Sequence, residues 1–239
     1  MVGKNPVLVA TSIADSVQGM IDGATQVLEA GADCVELRID RLSSDAEVAE
    51  VIDRVAMPHI AACRTPEFGG FFEGLERERI ERLESAACAG ATAVDIEFFT
   101  EPDLRLRLVE TARKEGVPVL IGYENMRQTP PKSDLIEGLR DVARLGPNLI
   151  KLAVRATSYV DLLTVLDTVL EARLLLDVPF AAIALGPYGA PSRPLACVMG
   201  ASFTYCAVEE SAVPGQLTVS ETRELISTMS KQRWSCSSN

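Results

Sequence analysis

The run Leu149-Ile150-Lys151-Leu152-Ala153-Val154 sets one lysine between apolar neighbours on both sides. Such a run reads as a buried strand. Burying an ammonium without a partner is costly, so a lysine there tends to give up its proton. A neutral amine near pH 7 is the nucleophile that forms imines with ketones. A lysine that snorkels out, or one that pairs with a carboxylate, fits the same six residues. The surrounding chain has to decide.

Seven other short runs share this character: Val7–Ala10, Cys34–Ile39, Ile60–Arg64, Ala93–Phe98, Val119–Tyr123, Phe180–Leu185 and Ser202–Val208. Pro118 falls just before the fifth strand, where a proline leaves the ladder intact. Longer amphipathic stretches lie between the runs. Ile13–Ala30 gathers Val17, Met20, Ile21, Ala24, Val27 and Leu28 on one face. Ala46–Val55, Glu73–Ala89, Asp103–Glu115, Asp134–Leu145, Tyr159–Glu171, Ser192–Met199 and Ser220–Ser230 follow. Eight strand–helix pairs predict an α/β fold, the (β/α)8 or TIM barrel. A doubly wound open sheet is the runner-up, but its dinucleotide fingerprint is missing. No linker precedes residue 233, so residues 1–232 read as one domain and 233–239 as a disordered polar tail.

Composition agrees. The chain has 239 residues, 47% of them hydrophobic, which suits one domain of the larger kind or two small ones. No apolar run approaches the ~20 residues that span a bilayer. Met1-Val2-Gly3-Lys4-Asn5-Pro6 carries no signal-peptide core. A net charge of −11 argues against nucleic acid and anionic membranes as partners. Six cysteines show no metal or redox spacing, and no metal or cofactor is expected. Cys34, Cys63, Cys88, Cys197 and Cys206 read as small core residues of a reduced, cytoplasmic protein, and Cys236 falls in the tail. His59, the lone histidine, reads as structural.

In a barrel, chemistry gathers at the C-terminal ends of the strands. There the second strand carries Glu36, Arg38 and Asp40, which alternation puts on one inward face. The third ends in Arg64, the fourth bears Asp95 and Glu97, the fifth ends in Tyr123-Glu124-Asn125, and the sixth holds Lys151. The turn Gly186-Pro187-Tyr188-Gly189-Ala190-Pro191 leads to Ser192, read as a helix cap, and Arg193. Free backbone N–H groups with a guanidinium make an anion site suited to a carboxylate or phosphate. Val213-Pro214-Gly215-Gln216 presents an amide. Ion pairs that merely stabilise the barrel would explain any one of these, Glu97 most readily. They do not readily explain the whole set at one mouth.

These residues together resemble type I 3-dehydroquinate dehydratase, the Schiff-base enzyme of the shikimate pathway. The matching segments are Glu36-Leu37-Arg38-Ile39-Asp40, Arg64 with Gly69-Gly70, Asp95-Ile96-Glu97, Lys151-Leu152-Ala153, Gly189-Ala190-Pro191-Ser192-Arg193 and Pro214-Gly215-Gln216. The resemblance implies a (β/α)8 barrel, a homodimer, and a cyclic keto acid as substrate. It makes Lys151 the imine-forming lysine. Glu36, Arg38, Arg64, Arg193 and Gln216 become the substrate-binding set, with Arg193 at the substrate carboxylate. An iminium at C3 acidifies the C2 proton, and the resulting enamine expels the C1 hydroxyl.

The chain departs from the family where its base belongs. The family's histidine at the end of the fifth strand is Glu124 here. The glutamate before the paired glycines is Phe68, with Glu67 one residue earlier. A serine of the eighth loop is Ala212, and the short N-terminus leaves little room for a hairpin over the barrel bottom. Losing the histidine would leave its orienting glutamate an unpaired charge, so an apolar replacement is cheaper. Three readings follow: a dehydratase with Glu124, its pKa raised, as base; a Schiff-base enzyme for a related cyclic keto-polyol acid with another outcome; and an idle binding homologue. Glu67 and Tyr123 stand next in line as bases.

Overall fold

A computed structural model describes residues 5–209 and 215–231. Eight strands alternate with eight helices: β1 (Val7–Ser12), α1 (Val17–Glu29), β2 (Cys34–Arg38), α2 (Asp45–Arg54), β3 (His59–Ala62), α3 (Glu76–Cys88), β4 (Ala93–Glu97), α4 (Pro102–Glu115), β5 (Val119–Asn125), α5 (Lys132–Arg144), β6 (Leu149–Arg155), α6 (Tyr159–Leu175), β7 (Phe180–Leu185), α7 (Ser192–Met199), β8 (Phe203–Cys206) and α8 (Val219–Lys231). From β1 to β7 each strand pairs in parallel with the next, and β8 pairs with β1. At the remaining seam, between β7 and β8, Ser202 N donates to Phe180 O at 2.7 Å. The result is the single-domain (β/α)8 barrel that the alternation predicts.

Period-two alternation sorts the strand side chains into two shells. On β6, Ile150, Leu152 and Val154 join the larger apolar core under the helices, while Ala153 joins the cluster inside the barrel with Val9, Ile60, Leu120, Ile183, Phe203 and Tyr205. Lys151, two residues before Ala153, faces inward as well. The lower barrel is thus apolar and the upper barrel charged. At the strands' N-terminal ends, Val7, Val9, Cys34, Ile60, Ala93 and Phe203 line a cavity of about 1190 Å³. It lies at the end of the barrel opposite the charged mouth.

Element boundaries depart from the sequence expectations for local reasons. α1 starts at Val17, because Ser16 Oγ caps it by accepting from Gly19 N. β2 stops at Arg38, and Asp40 falls in a 3-10 turn rather than on the strand. β5 runs on to Asn125, which places Glu124 inside a strand. Ser192 is not the cap of α7: Pro191 holds that place, and Ser192 Oγ bonds Ala184 N and Gly189 O instead. Cys88 is exposed at the end of α3, against the core position expected for it, whereas Cys34, Cys63, Cys197 and Cys206 are buried. Cys236, Ala212 and the 233–239 stretch lie outside the described residues.

Candidate active site

Lys151 is 3% exposed. Its Nζ lies 2.5 Å from Asp95 Oδ2 and 2.9 Å from Glu124 Oε1. Arg64 reaches the same two carboxylates, at 2.5 Å to Asp95 Oδ2 and 2.9 Å to both Glu124 oxygens. It also meets Glu97 Oε1 at 3.1 Å and Glu36 Oε2 at 4.0 Å. Four strands therefore send Glu36, Asp95, Glu97, Glu124 and Lys151 into one space, and Arg64, just past β3, closes it. Gly122 makes room for the pair. It stands opposite Lys151 in the register, and a Cβ there would lie 2.9 Å from Glu124 Oε1 and 3.2 Å from Lys151 Cε.

The charges correct two expectations. Burial and Arg64 act to drive the proton off Lys151, but Asp95, Glu124 and Glu36 outweigh them, so its pKa is raised. The resting lysine is an ammonium, held by carboxylates that the lone strand could not reveal. Glu124 is likewise opposite to the expected raised carboxyl. Burial pushes it up, yet Arg64 and then Lys151 hold it down at about 2.

Tyr205 is a residue the sequence reading passed over. Its ring centroid lies 5.4 Å from Lys151 Nζ. Burial, then Glu36 and Asp95, hold its hydroxyl well above its ordinary pKa, so it stays protonated. The inward alternation of Ser202–Val208 was the available signal. Asp95 Oδ1 is buried without a hydrogen-bond partner among the described residues.

Around this centre the other expected residues divide. Arg38 Nε and Nη2 grip Asp40 at 2.8 and 3.0 Å, and Nη2 also donates to Gly69 O. Asp40 in turn accepts from Phe71 N, so this pair ties the loop after β3 to the mouth. That loop needs both its glycines. Gly69 has φ +73°, and a Cβ on Gly70 would lie 1.9 Å from Arg64 O.

Arg193 is 3% exposed, and its Nη1 donates to Tyr205 O at 3.1 Å. Its Nε is buried without a partner, and no carboxylate pairs with it among the described residues. Burial, only partly opposed by Cys206 and Tyr205, lowers its pKa to about 10. Of the backbone N–H groups in the turn before it, those of Gly189 and Ser192 donate within the turn, as does that of Arg193. Gly215, with φ +88°, comes so near Gly186 O that a Cβ would lie 2.0 Å away, which seats the loop carrying Gln216 against the turn after β7.

The two residues next in line as bases, Tyr123 and Glu67, both lie away from Lys151. Tyr123 points outward, packed on Phe98, Phe99 and Gly138. Glu67 is exposed, 3.9 Å from Arg127. His59 is buried at the far end of β3 with Nδ1 3.0 Å from Met57 O, and burial lowers its pKa. Among the described residues, no group of His, Cys, Asp and Glu is arranged to hold a metal ion.

The family model for type I 3-dehydroquinase matches residues 9–233. A 3-dehydroquinate dehydratase of Methanothermobacter thermautotrophicus is 33% identical over 207 residues, 86% of this chain and 89% of that protein. One from Methanopyrus kandleri is 33% identical over 225 residues, covering 92% and 98%. The crystal structure of the 3-dehydroquinate dehydratase from Aquifex aeolicus superposes with a TM-score of 0.76 at 30% identity, over 92% of this chain and 98% of that one. That of the Geobacillus kaustophilus enzyme gives 0.88 at 23% identity, over 97% and 94%, a likeness of fold. With the barrel, the inward lysine and a match along nearly its whole length, the chain belongs to the type I 3-dehydroquinase family.

Proposed function

We propose that this protein is a Schiff-base lyase that dehydrates 3-dehydroquinate to 3-dehydroshikimate through an imine on Lys151. The observation that carries the reading is Lys151 itself, buried inside the barrel against Asp95 and Glu124. An idle site has no reason to keep so costly a group. Arg193, lacking a carboxylate partner among the described residues, takes the substrate carboxylate. Glu36, Arg38, Arg64 and Gln216 hold the ring hydroxyls.

Glu124 is the base. A carboxylate held near 2 is a weak base beside an ammonium. The reaction changes that balance. Removing the C2 proton from the iminium sends the C–H electrons into a C2=C3 bond and the C=N π pair onto nitrogen. Cation and carboxylate then disappear together, an event that a low-dielectric interior favours over water. Glu124 next returns its proton to the departing C1 oxygen as the enamine reforms the iminium, and water frees Lys151.

A second reading has its own support. With Glu124 pinned by Arg64, the same imine suits a related cyclic keto-polyol acid in which another bond changes. One experiment separates the two. 3-Dehydroquinate is added with and without borohydride, and mass at Lys151 and ultraviolet absorbance of the enone product are followed. An irreversible adduct with rising absorbance supports dehydration. An adduct without absorbance moves the case to the second reading, and neither signal refutes both. The reading also implies cytoplasmic residence and the homodimer of the resemblance.

A further inference from the structure

Arg79 sits on α3, outside the barrel, and is 2% exposed. Its N–H groups are all engaged. Nε meets Glu76 Oε2 at 2.9 Å, and Nη2 meets Glu76 Oε1 at 2.7 Å and Thr100 Oγ1 at 3.0 Å. Nη1 donates to Cys63 O at 2.6 Å and to Glu97 Oε2 at 2.8 Å. The other oxygen of Glu97 accepts from Arg64 Nη1 at 3.1 Å, and that same nitrogen serves both oxygens of Glu124. One guanidinium nitrogen is thus divided between Glu97 and the base of the reaction.

We propose that Arg79 is a positioning residue for proton transfer at Glu124, acting through Glu97 and Arg64. The inference rests on the reading of Glu124 above. The Glu97 carboxyl stands above its ordinary value: burial raises it, Arg64 and then Arg79 oppose the rise, and Glu124 and Asp95 add to it. With Arg79 removed, burial gains and Glu97 takes a proton. A neutral Glu97 no longer competes for Arg64 Nη1, so Arg64 tightens on Glu124 and weakens it as a base. Arg79 therefore keeps Glu97 charged, and a charged Glu97 loosens the grip on Glu124. Arg79 reaches the residues assigned to the substrate only through Glu97 and Arg64, so its loss should act on kcat more than on KM.

The test uses the full chain as Arg79→Gln, Arg79→Lys and Glu97→Gln. Infrared spectra of the free proteins at neutral pH are expected to show a buried protonated carboxyl in Arg79→Gln. That band should be absent from the parent and from the Arg79→Gln/Glu97→Gln pair. In turnover, Arg79→Gln and Glu97→Gln should each lose kcat by about tenfold or more, the size seen when a supporting contact behind a reacting group is cut. KM should stay within about twofold, borohydride trapping at Lys151 should persist, and Arg79→Lys should recover part of kcat. A fall in thermal stability with kcat and the carboxyl band unchanged would make Arg79 a plain anchor of α3 and overturn the proposal. If Arg79→Gln does not fold, an unchanged kcat in Glu97→Gln overturns it equally. Should the parent neither trap nor turn over, the reading of Glu124 fails, while the infrared arm still decides whether Arg79 sets the charge of Glu97.

Discussion

Lys151 and Glu124 form one buried pair whose charges are set jointly, so neither can be changed alone. Replacing Glu124 by Gln should leave imine trapping intact while lowering turnover by roughly 10²–10⁴-fold, the usual contribution of a general base. Turnover at the parent rate would make Glu124 a structural substitute only. Its stability signature is as specific. The Glu124 carboxyl is lower in the fold, at about 2, than its ordinary 4.5, so its contribution is whole above 4.5 and is lost as pH falls towards 2. Lys151, raised in the fold, contributes fully below its ordinary 10.5 and loses that contribution as pH rises through the folded value. The thermal midpoint of Glu124→Gln should therefore fall less steeply than the parent's in that acid window; equal slopes would refute the pairing. At this scale the sequence was informative about identity and poor about state. Lys151, Arg64 and Glu124 were legible because strand alternation and strand ends place them. Their protonation was not, because it depends on Asp95 and Arg64 arriving from other strands. Arg79 was illegible for a different reason: within Glu76-Arg77-Glu78-Arg79-Ile80-Glu81-Arg82 it looks like one more surface charge.

Strands β5 and β6 meet at Gly122 and Lys151, and there the sheet itself limits the chemistry. Gly122→Ala puts a methyl between Glu124 Oε1 and Lys151 Cε. Both neighbours are ends of flexible side chains, so the fold should survive with the thermal midpoint little changed while kcat falls. A variant with parent kcat would show that the pair tolerates separation. All eight strand–helix pairs could be read from the chain, because apolar runs and amphipathic stretches differ in period. Their ends could not, since each is decided by a local hydrogen bond. Ser16 delays α1, and Asp40 leaves the strand to hold Arg38. Ser192 looked like a cap and is instead a brace between β7 and its turn.

For the molecule as a whole, α6 is unusual in being apolar on two faces. Leu162, Val165, Leu166, Val169 and Ala172 face the barrel, while Tyr159, Leu163, Leu170 and Leu174 are exposed. Helical spacing gathers these four into one stripe, and Val160, also exposed, stands beside it. A stable dimer buries roughly 800 Å² per partner, and α6 would be the centre of such an interface. Leu170→Glu with Leu174→Glu should convert a dimeric parent to monomer by light scattering. A double variant that stays dimeric would place the interface elsewhere, and a monomeric parent would remove the dimer from the proposal.

Arg193 carries a consequence for the empty protein. A guanidinium kept dry with no carboxylate beside it among the described residues is a standing debt in the fold, tolerated for the sake of the anion it awaits. Arg193→Met should thus unfold at a higher temperature than the parent when both are empty, and should lose affinity for the keto acid. Arg193→Lys should lose most affinity too, since an ammonium cannot keep the forked geometry. The parent should gain thermal stability as a small alicyclic carboxylate is titrated in, by about 2.7 kcal/mol at a hundred times Kd, and Arg193→Met should gain almost none. On this view the barrel reaches its full stability only while it is at work.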